Sequence, residues 1–399
     1  MARVLVVLPT SSYRTADFVA AAASLGVELA IASEENPPLD MGDRFVRIDC
    51  HDPEVAAQAI VDLADRTPVD AVVAADEAGV VIASLASQSL GLDHHPPEAA
   101  RATRDKLEMR KLLAAAEVPQ PRFVPVGDQP EDAVRVGFPL ILKPRTATAS
   151  QGVIRVDDPA ALERAVERVR AIARRQGEDG PLLAESYLDG TEAALEGLVV
   201  KGDLTVLAVF DKPDAPSGPT FEETLLVTPS GQPRTVLAEL ERVVEAGVKA
   251  LGLTHGPIHA EARIDPEGRV HLLEIAARSI GGLCGRSLHF GLAGTSLEEM
   301  ILATALGAPT RASRQPRPAG VLMLPVIRSG IFGGMDGVPA ARRVPGITEI
   351  DITVPPGTEV RSLPEGDRYL GFVFAVGDTT DQVIDRLHRA AHHLQPRIT

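Results

Sequence analysis

With 399 residues, 45% of them apolar and 24% charged, the chain can bury a sizeable core, and its length suits two or three domains. A net charge of −15 and 3% aromatic residues with no Trp argue against nucleic acid or membrane as partner. Such a surface repels phosphate backbones and anionic lipid, and it offers neither a stacking platform nor an interfacial aromatic belt. Cys50 and Cys284 stand far apart and alone, which excludes a disulfide framework or a thiolate zinc site and fits a reducing cytoplasm. No apolar run reaches the roughly 18 residues of a membrane span, and Met1 to Pro9 lead into a strand pattern rather than a signal peptide. An anionic substrate would need a local pocket of Lys and Arg.

Residues 3–8, RVLVVL, predict a buried parallel strand, Thr15–Leu25 a helix stopped by Gly26, and Val27–Ala32 the next strand. Ala56–Ala64 (helix), Asp70–Ala75 (strand) and Gly79–Leu90 (helix) continue the alternation, giving an α/β unit with a doubly wound parallel sheet up to about residue 100. Its first turn, PTSSYR, lacks the glycines of a G-x-G-x-x-G fingerprint, so dinucleotide binding is not expected. Pro96 and Pro97 close this unit. A basic helix containing TRDKLEMRK follows, and Pro119 and Pro121 introduce short strands. Asp158 and Pro159 suit the start of a helix whose Leu162, Val166, Val169 and Ile172 form one apolar stripe. Strands are expected at Leu182–Ser186, Ala194–Val200 and Leu204–Phe210, a helix at Val236–Leu251, and a strand pair across 258–275. A Pro/Arg-rich linker at about 311–318 precedes a β-rich unit and a closing helix from Thr380.

The most informative stretch is GPIHAEARIDPEGRVHLLEIAARSIGG. His259, Glu261 and Arg263 alternate onto one face of a strand, and Asp265–Gly268 turn the chain into a second strand. If the hairpin is centred between Glu267 and Gly268, Glu261 faces Glu274, with Cβ atoms about 4.5–5.5 Å apart. Two carboxylates that close repel each other, and a divalent cation between them would resolve the repulsion. The alternative is a solvated hairpin, against which the apolar neighbours Leu272, Leu273 and Ile275 argue.

In PLILKPRTATASQGVIRV, Lys143 ends an apolar strand and a loop of small and polar residues follows. Its amides suit phosphate oxygens, although no P-loop motif is present and a plain hairpin with a surface Lys stays open. Lys106 has a simple alternative as one basic residue on a solvated helix face. LLAESYLDGTE places Glu185 at the end of a strand, then Tyr187, Leu188, Gly190 and Glu192. Such a hinge can offer backbone groups to a base and a carboxylate to ribose hydroxyls.

Taken in this order, Lys106, Lys143 with its TATASQG loop, ESYLDGTE, HAE and LLEIAAR resemble the ATP-grasp superfamily over roughly residues 1–310. FEETLLVTPS, PGITEIDITVPPGTEV and GFVFAVGDTT resemble L-amino-acid ligases of the bacilysin type. The resemblance implies a mixed α/β and α+β chain in three parts. These are a Rossmann-like pre-ATP-grasp domain (1–100), an ATP-grasp fold (101–310) with a mobile lid at about 121–190, and a small C-terminal β-rich α+β domain (311–399). It implies ATP and Mg²⁺ as cofactors, with Mn²⁺ able to substitute, small-molecule carboxylate and amine substrates, and a homodimer. Lys106 and Lys143 would hold phosphates under the loop at Ser150, Gln151 and Gly152. Glu185 and the backbone of Tyr187 and Leu188 would take adenine, Glu192 the ribose, and Glu261 and Glu274 the metal. Arg278, followed by Gly281 and Gly282, would meet the substrate carboxylate or its acyl phosphate, its planar fork suiting that anion. Glu223 would meet the second substrate's amino group, or else be a solvated loop residue.

One departure stands out. Many ATP-grasp enzymes read E-x-N at the second metal strand, whereas the third residue here is Ala276, opposite His259 in the same register. His259 would fill the space and contact phosphate or a developing oxyanion, or be a core histidine bonded to a backbone carbonyl. The expected reaction is amide formation through an acyl phosphate, releasing ADP and phosphate. The rivals are a different acceptor (ammonia, a thiol or bicarbonate) and a degenerate nucleotide-binding regulatory module. Cys284 has no activating base nearby in sequence and is not expected to act as a nucleophile.

Overall fold

The structure is a computed structural model describing residues 1–36, 41–214, 218–308 and 313–399. Residues 311 and 312 of the expected linker, and 215–217 of the loop before Glu223, lie outside the described residues.

The N-terminal unit runs β1 (Arg3–Val7), α1 (Thr15–Leu25), β2 (Glu28–Ser33), β3 (Phe45–Arg47), α2 (Pro53–Arg66), β4 (Ala71–Ala74) and α3 (Val80–Leu90). Its sheet is parallel, in the order β3-β2-β1-β4. Gly26 takes the left-handed conformation (φ 63) that ends α1. Leu5, Val7, Ala30 and Ala32 pack under α2 and α3, while Val4, Val6 and Ile31 face Phe18 of α1 and Ile301 of a helix far along the chain. That remote helix and the short β3 had no clear sequence signal. The strand order reverses direction between β1 and β4. Ligands in such sheets sit at the carboxyl ends of the strands flanking that point.

The expected single basic helix is two, α4 (Pro97–Arg104) and α5 (Lys106–Ala115). Asp105 breaks the first and caps the second through the amides of Leu107 and Glu108. A four-stranded antiparallel sheet follows, built from β5 (Phe123–Val126), β6 (Leu140–Lys143), β7 (Ile154–Val156) and β8 (Leu182–Ser186) in the order β5-β8-β6-β7. Helix α6 (Pro159–Arg175) covers it, capped by Asp158, with Leu162, Val166, Val169 and Ile172 all buried.

The central sheet is formed by β9 (Thr191–Val200), β10 (Asp203–Asp211), β11 (Leu225–Thr228), β12 (His255–Ile264) and β13 (Val270–Ala276), with α7 (Arg234–Leu251) behind it. Helix α8 (Leu297–Ala305) is the one that completes the N-terminal unit. The chain then runs β14 (Ala319–Leu324), β15 (Gly330–Asp336), α9 (Val338–Ala341), β16 (Ile347–Asp351), β17 (Glu359–Val360), β18 (Gly371–Val376), α10 (Thr380–His393) and β19 (Gln395–Ile398). One antiparallel sheet in the order β13-β12-β9-β10-β11-β14-β18-β16 takes strands from both sides of the expected domain boundary, so C-terminal strands extend the central sheet. Val244 and Val248 of α7 cover its apolar face with Ala260, Leu272 and Ile275. Among the described residues no helix is long and apolar enough to cross a membrane.

Candidate active site

The polar face of the central sheet carries the glutamates. His259 pairs with Ala276 and Glu261 with Glu274, as the hairpin register predicts, but the turn is one residue shorter than expected. Ile264 pairs with Val270, Ala262 pairs with Leu272, and a bulge beyond Ala262 restores the register at Glu274. The bulge places Glu274 beside Glu261 on the face that lines a cavity of about 870 Å³. On the other side of β12, His259 faces Glu196 and Arg263 faces Glu192.

Lys212 sits in the middle of this face. Its buried Nζ contacts Glu192 at 2.7 Å, Glu261 at 3.2 Å and also Glu223. Oxygens of Glu192, Glu223 and Glu261 converge within 4.8 Å, a grouping able to hold a metal ion, but the Lys212 ammonium already contacts all three. Burial and the charge of Glu261 push Glu223 up to about 7. Burial alone would also raise Glu261, yet Lys212 and His259 hold it well below the usual carboxylate range. Glu223 is thus tied into the face rather than solvated. Lys212 escaped sequence reasoning, although a signal existed: VFDKP repeats the strand-Lys-Pro junction of LILKP at Lys143.

His259 lines the cavity, and the expected bond to a backbone carbonyl is not the one it makes. Its Nδ1 meets the buried Glu196 and its Nε2 lies 3.2 Å from Glu261, so two carboxylates clamp the ring rather than a backbone carbonyl. Burial would lower its pKa, but Glu196 and Glu261 raise it to about 9. The second Glu196 oxygen accepts the Ile280 amide at 3.0 Å.

A second cluster lies under the smaller sheet. Lys106, at the start of α5, is buried rather than solvated. Its Nζ donates to the Ala147 carbonyl at 2.7 Å and lies 3.5 Å from Glu274. Glu185 is 3% exposed, bonded to Arg110 at 2.7 Å and Lys143 at 2.8 Å. Burial would raise Glu185, but those two cations lower it to about 2. The loop expected over phosphates is present, with a shift in which amides are free. Gln151 N–H donates to Thr148 O and Gly152 N–H to Pro364 O, whereas the amides of Thr148, Ala149 and Ser150 bond nothing among the described residues. Tyr187 N–H is likewise used, by Pro139 O at 3.1 Å, and its ring lies under the Arg155 guanidinium at 4.2 Å. Leu188 and Glu192 line the cavity; Glu192 also accepts from Arg263 at 2.8 Å.

The opposite wall comes from loops. Arg278 donates through Nε to Glu77 at 2.7 Å and through a terminal nitrogen to Ser279 O at 2.8 Å, and its other terminal nitrogen makes no bond among the described residues. Burial opposes the Arg278 charge, but Glu77 and Asp76 favour it. Asp76 occupies the capping position before the single-turn helix Glu77–Gly79, yet makes no capping bond or ion pair among the described residues. A side chain that forgoes a cap contact worth about 1 kcal/mol is free for something else. Asp76, Glu77 and Tyr13 stand at the carboxyl ends of β4 and β1, the switch point of the N-terminal sheet.

Tyr13 and Tyr369 flank Phe372, with ring centroids 5.6 and 6.3 Å from it. Gly281 lines the cavity, and Gly282 must be glycine: its φ is 59 and a Cβ would lie 2.6 Å from Phe372. Cys284 is buried at this wall with its thiol pushed up by burial, a poor nucleophile as expected.

Residues 19–94 match the ATP-grasp N-terminal domain, 136–287 the ATP-grasp domain and 322–399 the L-amino acid ligase C-terminal domain 2. An uncharacterized protein of Sinorhizobium fredii is 28% identical over 298 residues, 73% of this chain and 61% of that protein. The alanine–anticapsin ligase of Bacillus subtilis strain 168 is 28% identical over 254 residues, 57% of this chain and 52% of that ligase. The chain thus spans about half to three-fifths of the length of these relatives. In structure it resembles an L-amino acid ligase from Bacillus licheniformis (TM-score 0.84, 23% identity, 100% of this chain and 99% of that one). It also resembles an N5-carboxyaminoimidazole ribonucleotide synthetase from Thermotoga maritima (0.74, 17%, 100% of each). With its N-terminal, central and C-terminal parts matched in order, the chain belongs to the ATP-grasp superfamily and carries the C-terminal domain of L-amino acid ligases.

Proposed function

We propose that this chain is an ATP-dependent carboxylate–amine ligase, forming an amide through an acyl phosphate and releasing ADP and phosphate, with an amino acid as a substrate. One observation carries this: Glu261 and Glu274 lie side by side on a cavity face that also holds Lys106, Lys143 and Lys212, with Arg278 on the same cavity. Paired hard oxygen donors beside buried cations suit a nucleotide–metal complex.

Glu261 and Glu274 would hold Mg²⁺, or Mn²⁺ in its place, and the ion would neutralise phosphate charge. Lys212 contacts the remaining carboxylates of Glu192 and Glu223, so the cluster of Glu192, Glu223 and Glu261 is not read as a second metal site. Lys106 and Lys143 hold the ATP phosphates beneath the free amides of Thr148, Ala149 and Ser150. Glu185, Tyr187 and Leu188 flank the base, and Glu192 the ribose. The unbonded edge of Arg278 receives the donor carboxylate, whose oxygen attacks the γ-phosphorus and displaces ADP. Asp76 holds the donor's own ammonium, keeping that nitrogen protonated and out of the reaction. The acceptor amine, beside Glu223, attacks the acyl carbon, the C–O bond to phosphate breaks, and the proton lost from the nitrogen leaves with the phosphate. His259 anchors the Glu261 carboxylate in place. No side chain forms a covalent bond, so the protein's contribution is position and charge.

The test is product analysis with ATP, Mg²⁺ and a panel of amino acids, singly and in pairs. ADP, phosphate and an amide are expected. AMP in place of ADP would remove the acyl phosphate, and nucleotide binding without turnover over a broad panel would favour a regulatory module.

A further inference from the structure

We infer that the C-terminal segment Arg361–Tyr369 is a positioning strap for the small-residue loop 146–152, tying closure of that loop to occupancy of the substrate side. The coupling to substrate rests on the ligase reading; the strap itself does not.

The loop is held in a conformation it does not favour. Ala149 (φ 52) and Ser150 (φ 56) both lie in the left-handed region, as does Gly152 (φ 71). Residues bearing a Cβ stay there only where their surroundings fix them. Gly152 has no such option, since a Cβ would lie 2.8 Å from Pro144. Two contacts from the strap supply the fixing. Gly152 N–H donates to Pro364 O at 2.9 Å, and Gln151 Nε2 donates to Glu365 O at 2.9 Å. The Glu365 carboxylate in turn receives both Nε and NH2 of Arg168, on α6, at 2.7 and 3.0 Å. A fork of this kind fixes direction as well as distance.

The same strap continues into the cavity, where Asp367, Arg368 and Tyr369 form part of the wall. The lid is tied to the substrate side a second time. Arg155 N–H donates to Pro219 O at 2.9 Å and Ile154 bridges Thr220, immediately before Phe221 and Glu223. Ala149, Glu222, Gly366 and Tyr369 bound one small cleft where loop, strap and substrate segment meet. An occupant packed on Tyr369 and Phe221 therefore steadies both of these ties, leaving the loop's other end on Glu178 and Lys106. An empty substrate side leaves the strained loop free to open, which separates bound ATP from premature hydrolysis.

Gly366→Ala tests the strap without replacing a residue that lines the main cavity, and the new Cβ would lie 2.0 Å from Arg361 O and force the segment to move. Glu365→Arg and Arg168→Glu break the fork singly, and the double variant rebuilds it reversed. The first readout is release of a fluorescent ADP analogue with Mg²⁺, expected to quicken about fivefold or more in Gly366→Ala and less in each single reversal, with recovery in the double. The second is amide formed per ADP in the presence of amino acids, expected to fall in the same variants. Unchanged release and an unchanged ratio in Gly366→Ala, or a double no better than its singles, would overturn the strap. Faster release in the variants of a protein that makes no amide from any amino acid would uphold the strap and sink the ligase reading. Faster release with the amide ratio intact would overturn the coupling.

Discussion

The two walls of the cavity are built on different principles. On the side proposed for the nucleotide, the charged groups are carried by regular elements and paired within the chain: Glu185 on β8 with Arg110 and Lys143, and Lys106 with Glu274. On the side proposed for the substrates the groups come from four distant segments, around Tyr13, Asp76, Arg278 and Tyr369. Asp76 and an edge of Arg278 are left without a partner among the described residues, and the remaining wall is aromatic. On the proposed function, the contrast separates chemistry from selectivity. A buried wall whose charged side chains are paired with one another keeps the free amides of Thr148, Ala149 and Ser150 for a polyanion, whereas a wall with unpaired charged side chains has bonding capacity left for a substrate.

The sharpest way to break the comparison is on the nucleotide side. Glu274→Ala should lower ADP release by about a thousandfold or more with the fold intact by circular dichroism; activity within tenfold of the parent would show that this wall does not do the chemistry. Next, Lys212→Met leaves Glu192, Glu223 and Glu261 without their shared cation. It should cost on the order of 3 kcal/mol of stability as well as most activity, read as a lowered urea midpoint; an unaltered midpoint would mean the glutamates do not depend on it.

On the substrate side the effects should be selective rather than total. Asp76→Asn should reduce the preference for an amino acid over its des-amino carboxylate by about tenfold, with the KM for ATP unchanged. A parallel rise in both KM values would erase the division between the walls. Cys284→Ala should alter turnover by less than about twofold, since no step uses the thiol.

A control lies away from both walls. Burial holds His95 near pKa 4, below the ordinary histidine value of about 6.5, and its Nδ1 accepts the amides of Thr254 and His255 at 3.1 and 3.2 Å. The folded state then binds fewer protons than the unfolded one between those values. Its contribution is complete above pH 6.5 and is lost as pH falls toward 4, by at most about 3 kcal/mol. Urea melts at pH 7 and pH 5 should show this loss, and His95→Gln should diminish it.

The same division governs what could be read from the sequence. Strand periodicity and one hairpin placed Glu261 opposite Glu274, although a shorter turn and a bulge produced the pairing. The Asp158 cap and the stripe on α6 were legible because both depend on neighbours three or four residues away. Glu196, Arg110 and Asp76 were not, because their importance arises from partners, or the lack of one, across 63, 75 and about 200 residues of chain. Likewise α8 looks unremarkable until it packs on a sheet formed by the first 74 residues.

The most direct measurement follows an ¹⁸O label placed in the carboxylate of the donor amino acid during turnover with Mg²⁺ and ATP. If the carboxylate attacks the γ-phosphorus and is displaced by an amine, each released phosphate carries one labelled oxygen and ADP carries none. Unlabelled phosphate, or label recovered in AMP, would contradict the account.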